Sequence, residues 1–146
     1  MSQHGLMHCG GLGSWWSEEE SHTCSSFNVE SGKWEFDRTL LSKRIFHTSW
    51  ESPDGTLLVG GRNSTTELLT NSGSEEKFKL KYYSGEKACL INEGDSFVLT
   101  GGMESSFTYS GRAARYDKDG WVEDLDNMNV ERAMHACGQF LVNSER

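Results

Sequence analysis

His4 and His8 stand four residues apart, the spacing with which a helical turn presents two imidazoles to zinc. His8, however, falls in the strand-like run LMHCGG (Leu6 to Gly11), where four residues span about 13 Å, too far for one ion to bridge. Asp117-Lys118-Asp119-Gly120 resembles the middle of a calcium loop. Counting back puts Arg115 at the first ligand position and Asp126 where the closing glutamate belongs, so a turn between two strands accounts for these residues better. The paired glycines of GTLLVGG (Gly55 to Gly61) could cradle a phosphate, but neither a following helix nor a Gly-Lys-Ser/Thr ending is present. His47 and His135 each follow an arginine by three positions, and at such corresponding positions they are expected to hold strands together by hydrogen bonds in preference to carrying a proton. No Ser/His/Asp or Cys/His arrangement accompanies them. The expectation is therefore no catalytic residue, no metal and no cofactor.

The elements that must position these side chains are strands. Among 146 residues there are five Trp, seven Phe, four Tyr and sixteen Gly but one Pro, a composition suited to pleated segments joined by turns. The length suits a single domain. No apolar run approaches the roughly 20 residues of a membrane-spanning helix. A formal charge of −8 repels nucleic acid and anionic membrane, so neither is expected as a partner. Lys77, Lys79 and Lys81 alternate with Phe78, Leu80 and Tyr82, which reads as a strand with one solvated face. The N-terminus shows no secretory signal, which leaves the compartment open with a slight preference for the cytoplasm. Cys9, Cys24, Cys89 and Cys137 form no Cys-x-x-Cys and are too scattered for a small disulfide scaffold.

Aligning the segments reveals a repeat. KRIFHTSWES, a PDG turn, TLLVGG, a polar loop, TTELLT, a turn and EKFKLKY make one copy. GEKACLIN, SFVLTGG, a loop, GRAARY, a turn and WVEDL make the next. A third begins at ERAMHACGQF, and LMHCGG with HTCSSFNV and KWEF supplies a leading copy without its first segment. Gly11 to Gly61 is 50 residues, Gly61 to Gly102 is 41, and both Arg44 to Arg132 and His47 to His135 are 88. Four short strands per forty-odd residues mean propeller blades.

The double glycines, the Arg-x-x-His pairs, Trp34 and Trp121 after Gly turns, and Tyr116 (with Phe27 in the leading copy) resemble kelch repeats. The resemblance covers nearly the whole chain. It implies an all-β fold, a partial kelch-type β-propeller of about three four-stranded antiparallel blades. The segments are an incomplete blade over 1–38, blades over 39–83 and 84–128, and the first strand of a further blade over 129–146. Gly85 and Ala88 replace the Arg and His in the middle copy, and Phe78 stands where Trp is expected. In a kelch blade the glycine pair ends the second strand where neighbours converge, leaving room for an Arg or aromatic side chain of the next blade. Arg44 and Arg132 are then buried and paired with a carboxylate or backbone carbonyls. Cys89 and Cys137 take equivalent positions, each after an alanine, either as small core residues or, in a secreted chain, as a disulfide between neighbouring blades.

Kelch propellers serve mainly as platforms for other proteins, and the resemblance implies the same role here. The loops after the double glycines are LGSWWSEEE, RNST and MESSFTYS, and their candidate partner-binding residues are Trp15, Trp16, Arg62, Asn63, Met103, Phe107 and Tyr109. The rival reading is a fragment of an enzyme similar to galactose oxidase, for which no copper ligand cluster is recognisable; a degenerate fragment without function is a third. Three blades are too few to close a ring. Either the chain is a stretch of a longer propeller, which the strand pattern running to its last residues favours, or two copies associate into six blades.

Overall fold

Leu57, Leu58 and Val59 are consecutive and all buried, which no strand with one wet face permits. The computed structural model, which describes residues 5–13, 21–61, 63–82, 85–105, 108–123 and 125–138, shows why: their strand is flanked by a sheet on each side. The described residues contain no helix. The first sheet has three strands, β1 (Met7–Cys9), β2 (Thr23–Asn28) and β3 (Lys33–Thr39), in that order. The second has four in chain order, β4 (Thr48–Ser52), β5 (Gly55–Val59), β6 (Thr66–Thr70) and β7 (Gly73–Glu76). In the third, β8 (Cys89–Asn92), β9 (Phe97–Thr100), β12 (Ala113–Asp117) and β13 (Gly120–Val122) lie side by side, with a separate hairpin of β10 (Met103–Ser105) and β11 (Thr108–Tyr109) between β9 and β12. All pairings are antiparallel.

Period-two alternation divides the second sheet between its neighbours. Leu58 and Leu69 pack with Leu40 and Cys24 toward the first sheet. Trp50, Leu57, Val59 and Leu68 pack with Phe97, Leu99, Ala114 and Tyr116 of the third. Phe97 and Tyr116 stack at 5.2 Å between centroids, and Trp121 meets both edge-on. The Trp121 indole N–H reaches back to Thr66 Oγ1 and the Phe78 carbonyl, each at 3.3 Å.

The sheets are also tied backbone to backbone at one end. Phe46, Lys87 and Met134 all have φ between 53° and 56°. The Lys87 N–H donates to the Phe46 carbonyl and the Met134 N–H to that of Lys87, both at 2.9 Å. These three residues precede His47, Ala88 and His135, so the ladder fixes the repeat register. The glycine pair belongs to the same seam. A Cβ on Gly10 would lie 2.3 Å from the Arg44 carbonyl oxygen and 3.2 Å from His47 Cε1. On Gly101 it would lie 2.4 Å from the Arg132 carbonyl oxygen and 2.7 Å from His135 Cε1. What needs the room is thus the next segment's backbone and histidine, not an Arg or aromatic side chain.

Several expectations need correction. Residues 77–82 are not a strand: Lys77 and Leu80 donate to Thr66 and Ser64, and the chain then crosses to the third sheet, where Glu123 accepts the Lys81 and Tyr82 N–H groups. The position matching Trp34 and Trp121 in the second sheet is Ser74, set by its pairing with Leu69; Phe78 instead packs against Gly120. Met103 to Ser110, expected as a loop, contains the β10–β11 hairpin. Arg132 is exposed, its Nε donating to Val130, because no described strand follows to surround it.

The cysteines are corrected too. Cys89 follows Ala88 directly, whereas Cys137 lies two residues beyond His135, so the two are one position out of register. That offset puts their side chains on opposite faces of their segments, and only then can neighbouring segments join them. They form a disulfide, and Cys9 pairs with Cys24 across β1 and β2 in a second.

Candidate functional site

The end of the sheets carrying the glycine pairs also carries the β4 and β8 entries, since Thr48 pairs with Val59 and Cys89 with Thr100. The loop after β5 is organised from beneath by Arg44, whose side chain is 1% exposed. Its Nη1 donates to the carbonyls of Gly60 (2.8 Å) and Thr65 (2.9 Å) and to Asn63 Oδ1 (3.1 Å). Nη2 reaches Thr65 Oγ1 at 2.7 Å, and Nε meets Glu67 Oε2 at 3.3 Å. Glu67 is 0% exposed, and its other oxygen accepts the Leu41 N–H at 2.8 Å. Burial lowers the Arg44 pKa, and the Glu67 charge opposes that shift.

His47 lies beside this node against Gly10, and its buried Nδ1 has no hydrogen-bond partner. Burial first, then the charges of Arg44 and His8, lowers its pKa to about 4. His135 is shifted in the same direction by burial and Arg132. A histidine held neutral in this way stabilises the fold fully above pH 6.5 and loses that contribution as pH falls toward 4, because only the unfolded chain takes the proton in that window. We therefore expect stability in urea to fall by up to about 3 kcal/mol across that window, and His47→Leu to flatten the slope. An unchanged slope in the variant would assign the pH dependence elsewhere.

Of the sequence candidates, Asn63, Met103 and Tyr109 lie among the described residues. The Asn63 side chain is committed to the loop: Oδ1 serves Arg44 and Thr65, and Nδ2 donates to the Lys43 carbonyl at 3.1 Å. Met103 is buried at 6% exposure, with its Sδ 3.3 Å from Lys87 Nζ. Tyr109 is half-exposed on β11. Trp15, Trp16, Arg62 and Phe107 fall outside the described residues, as does His4.

The same end carries residues that sequence reasoning missed. Phe46 and Met134 are exposed at 39% and 71%, and Lys87 Nζ sits over the Phe46 ring, 4.4 Å from its centroid. The signal was available: between the Arg and His landmarks the position before His reads Phe, Lys and Met in successive copies. A left-handed backbone at three bulky residues is unusual and is held here by the inter-sheet ladder. The patch is two exposed apolar side chains around Lys87, whose Nζ also lies 3.7 Å from the Glu86 carboxylate. Among the described residues no three His, Cys, Asp or Glu side chains are grouped to hold a metal. Such a surface suits burial of a partner's apolar side chain.

No family model matches the chain, and no curated protein does. The solved structure titled "Structure of YjhT" superposes with a TM-score of 0.76 over 88% of the chain at 11% sequence identity. The chain spans about half, 51%, of that structure's length. At this identity the likeness speaks to the shared all-β fold alone.

Proposed function

We propose that the chain is a non-catalytic protein–protein interaction module, a kelch-type propeller segment that binds through the end bearing the glycine pairs. The observation that carries this reading is the row of Phe46, Lys87 and Met134, with Phe46 and Met134 exposed and all three held at positive φ by inter-sheet hydrogen bonds. Tyr109 on the neighbouring hairpin extends the surface. Support for the kelch assignment comes from the recurrence of glycine pair, Arg and His at one seam. Two disulfides that use all four cysteines support an oxidising compartment over the cytoplasm.

Affinity capture with the chain as bait tests this. Phe46→Asp and Met134→Asp alter exposed side chains and are expected to lower retention of a stoichiometric partner about tenfold or more. Val29→Asp, more exposed still at 81% but in the β2–β3 turn at the opposite end, should leave retention unchanged. Equal effects from both ends, or none from either, would defeat the reading.

A further inference from the structure

The two ends of the array are complementary. At one end the first sheet lacks the strand that β4 and β8 supply elsewhere, so β1 is an edge without a neighbour among the described residues. At the other end, residues 132–138 are docked on the third sheet as the start of such a strand. Arg132 accepts from Gly102 N–H, Met134 donates to Lys87, and Cys137 is bonded to Cys89. Within that segment Ala136 and Gly138 are exposed.

The faces match as well as the edges. Phe27 pairs with Trp34 as Tyr116 pairs with Trp121, so the outer face of the first sheet is the counterpart of a surface that the third sheet buries against the second. Yet Trp34 is 54% and Phe36 69% exposed, against 9% for Tyr116. At the far end, Ile91, Val98 and Val122 have the opposite parity to Leu90, Leu99 and Trp121, which pack on the second sheet, and so face away from it.

We propose that a second copy of this chain covers both, with residues 136–138 of each copy pairing antiparallel to β1 of the other. By equivalence with β4 and β5, Ala136 stands opposite Cys9, Cys137 opposite His8 and Gly138 opposite Met7. Three sheets per copy then give six, within the four to eight of a closed propeller; one copy gives too few and three copies too many. A sheet face of this size offers on the order of 300 Å², so two seams hide about 1,200 Å² from both partners together, enough for a specific interface.

Light scattering on the intact chain is expected to give twice its 16.4 kDa mass. Trp34→Asp and Phe36→Asp, whose rings lie outside the cores, should give folded single chains by circular dichroism. Met7→Cys with Gly138→Cys should yield a covalent dimer on a non-reducing gel, and neither single variant should. A wild-type particle of one chain mass, the outcome if further sheets of a longer polypeptide are the cover, overturns the proposal. So does a dimer that ignores Trp34→Asp and forms no crosslink. Phe46→Asp is expected to leave the mass unchanged, so this association and the partner-binding reading fail separately.

Discussion

Glu67→Ala is expected to destabilise the chain by about 3–5 kcal/mol in urea unfolding, a large share of the 5–15 kcal/mol typical of a domain. Glu67 is fully buried and meets Arg44, itself 1% exposed, so truncation strands a guanidinium out of reach of water. It also removes the acceptor for the Leu41 N–H. The third sheet shows how the pair can be dispensed with. There Gly85 stands where Arg44 does, and Ala114, opposite Leu99 as Glu67 is opposite Leu58, stands where Glu67 does. Both charges are gone together, and Leu80 and Leu99 occupy the space beside Gly85. Arg44→Met with Glu67→Leu should accordingly be less harmful than Glu67→Ala alone, although the Gly60 and Thr65 carbonyls lose a donor. The coupling should exceed about 1 kcal/mol. Additive losses would mean that Arg44 is held by the loop carbonyls and that its carboxylate partner contributes little.

Much of the architecture was legible because its signals are local. Turn residues such as Pro53-Asp54-Gly55 and Asp119-Gly120 mark hairpins, and a glycine pair after each short apolar run marks the seam. What failed depended on register or on neighbours. Lys77 to Tyr82 alternates like a strand, but the Glu123 carboxylate and the Trp121 indole draw that segment off its sheet. Cys89 and Cys137 look equivalent after alanine, and a one-residue offset reverses the face each presents. The candidate site was less legible still. Asn63 and Met103 sit in the expected loops but turn inward, Asn63 because Arg44 below needs acceptors. Phe46 and Met134 share a repeat position that the sequence shows, but their exposure and left-handed backbone are set only where the inter-sheet ladder forms.

Gly10→Ala should separate two roles that a glycine can play at such a seam. Gly10 has φ +65°, and Gly32, in the exposed β2–β3 turn, has the same value. A methyl group on Gly32 meets nothing within 4 Å, so Gly32→Ala carries only the left-handed penalty of about 1–2 kcal/mol. On Gly10 the same group would sit 2.3 Å from the Arg44 carbonyl oxygen, a backbone atom fixed by the bond it accepts from Gly11 at 2.8 Å. No rotamer can relieve that contact; the first and second sheets must part, opening the small core of Cys24, Leu40, Leu58 and Leu69 between them. Overpacking of this kind adds about 1–3 kcal/mol, so Gly10→Ala should lose about 2–5 kcal/mol in all. It should also speed hydrogen exchange at Gly11, whose amide loses its acceptor when the seam opens. Equal losses for the two variants would mean that the glycine pair serves backbone conformation alone, and that the close approach of the sheets follows from it without requiring it.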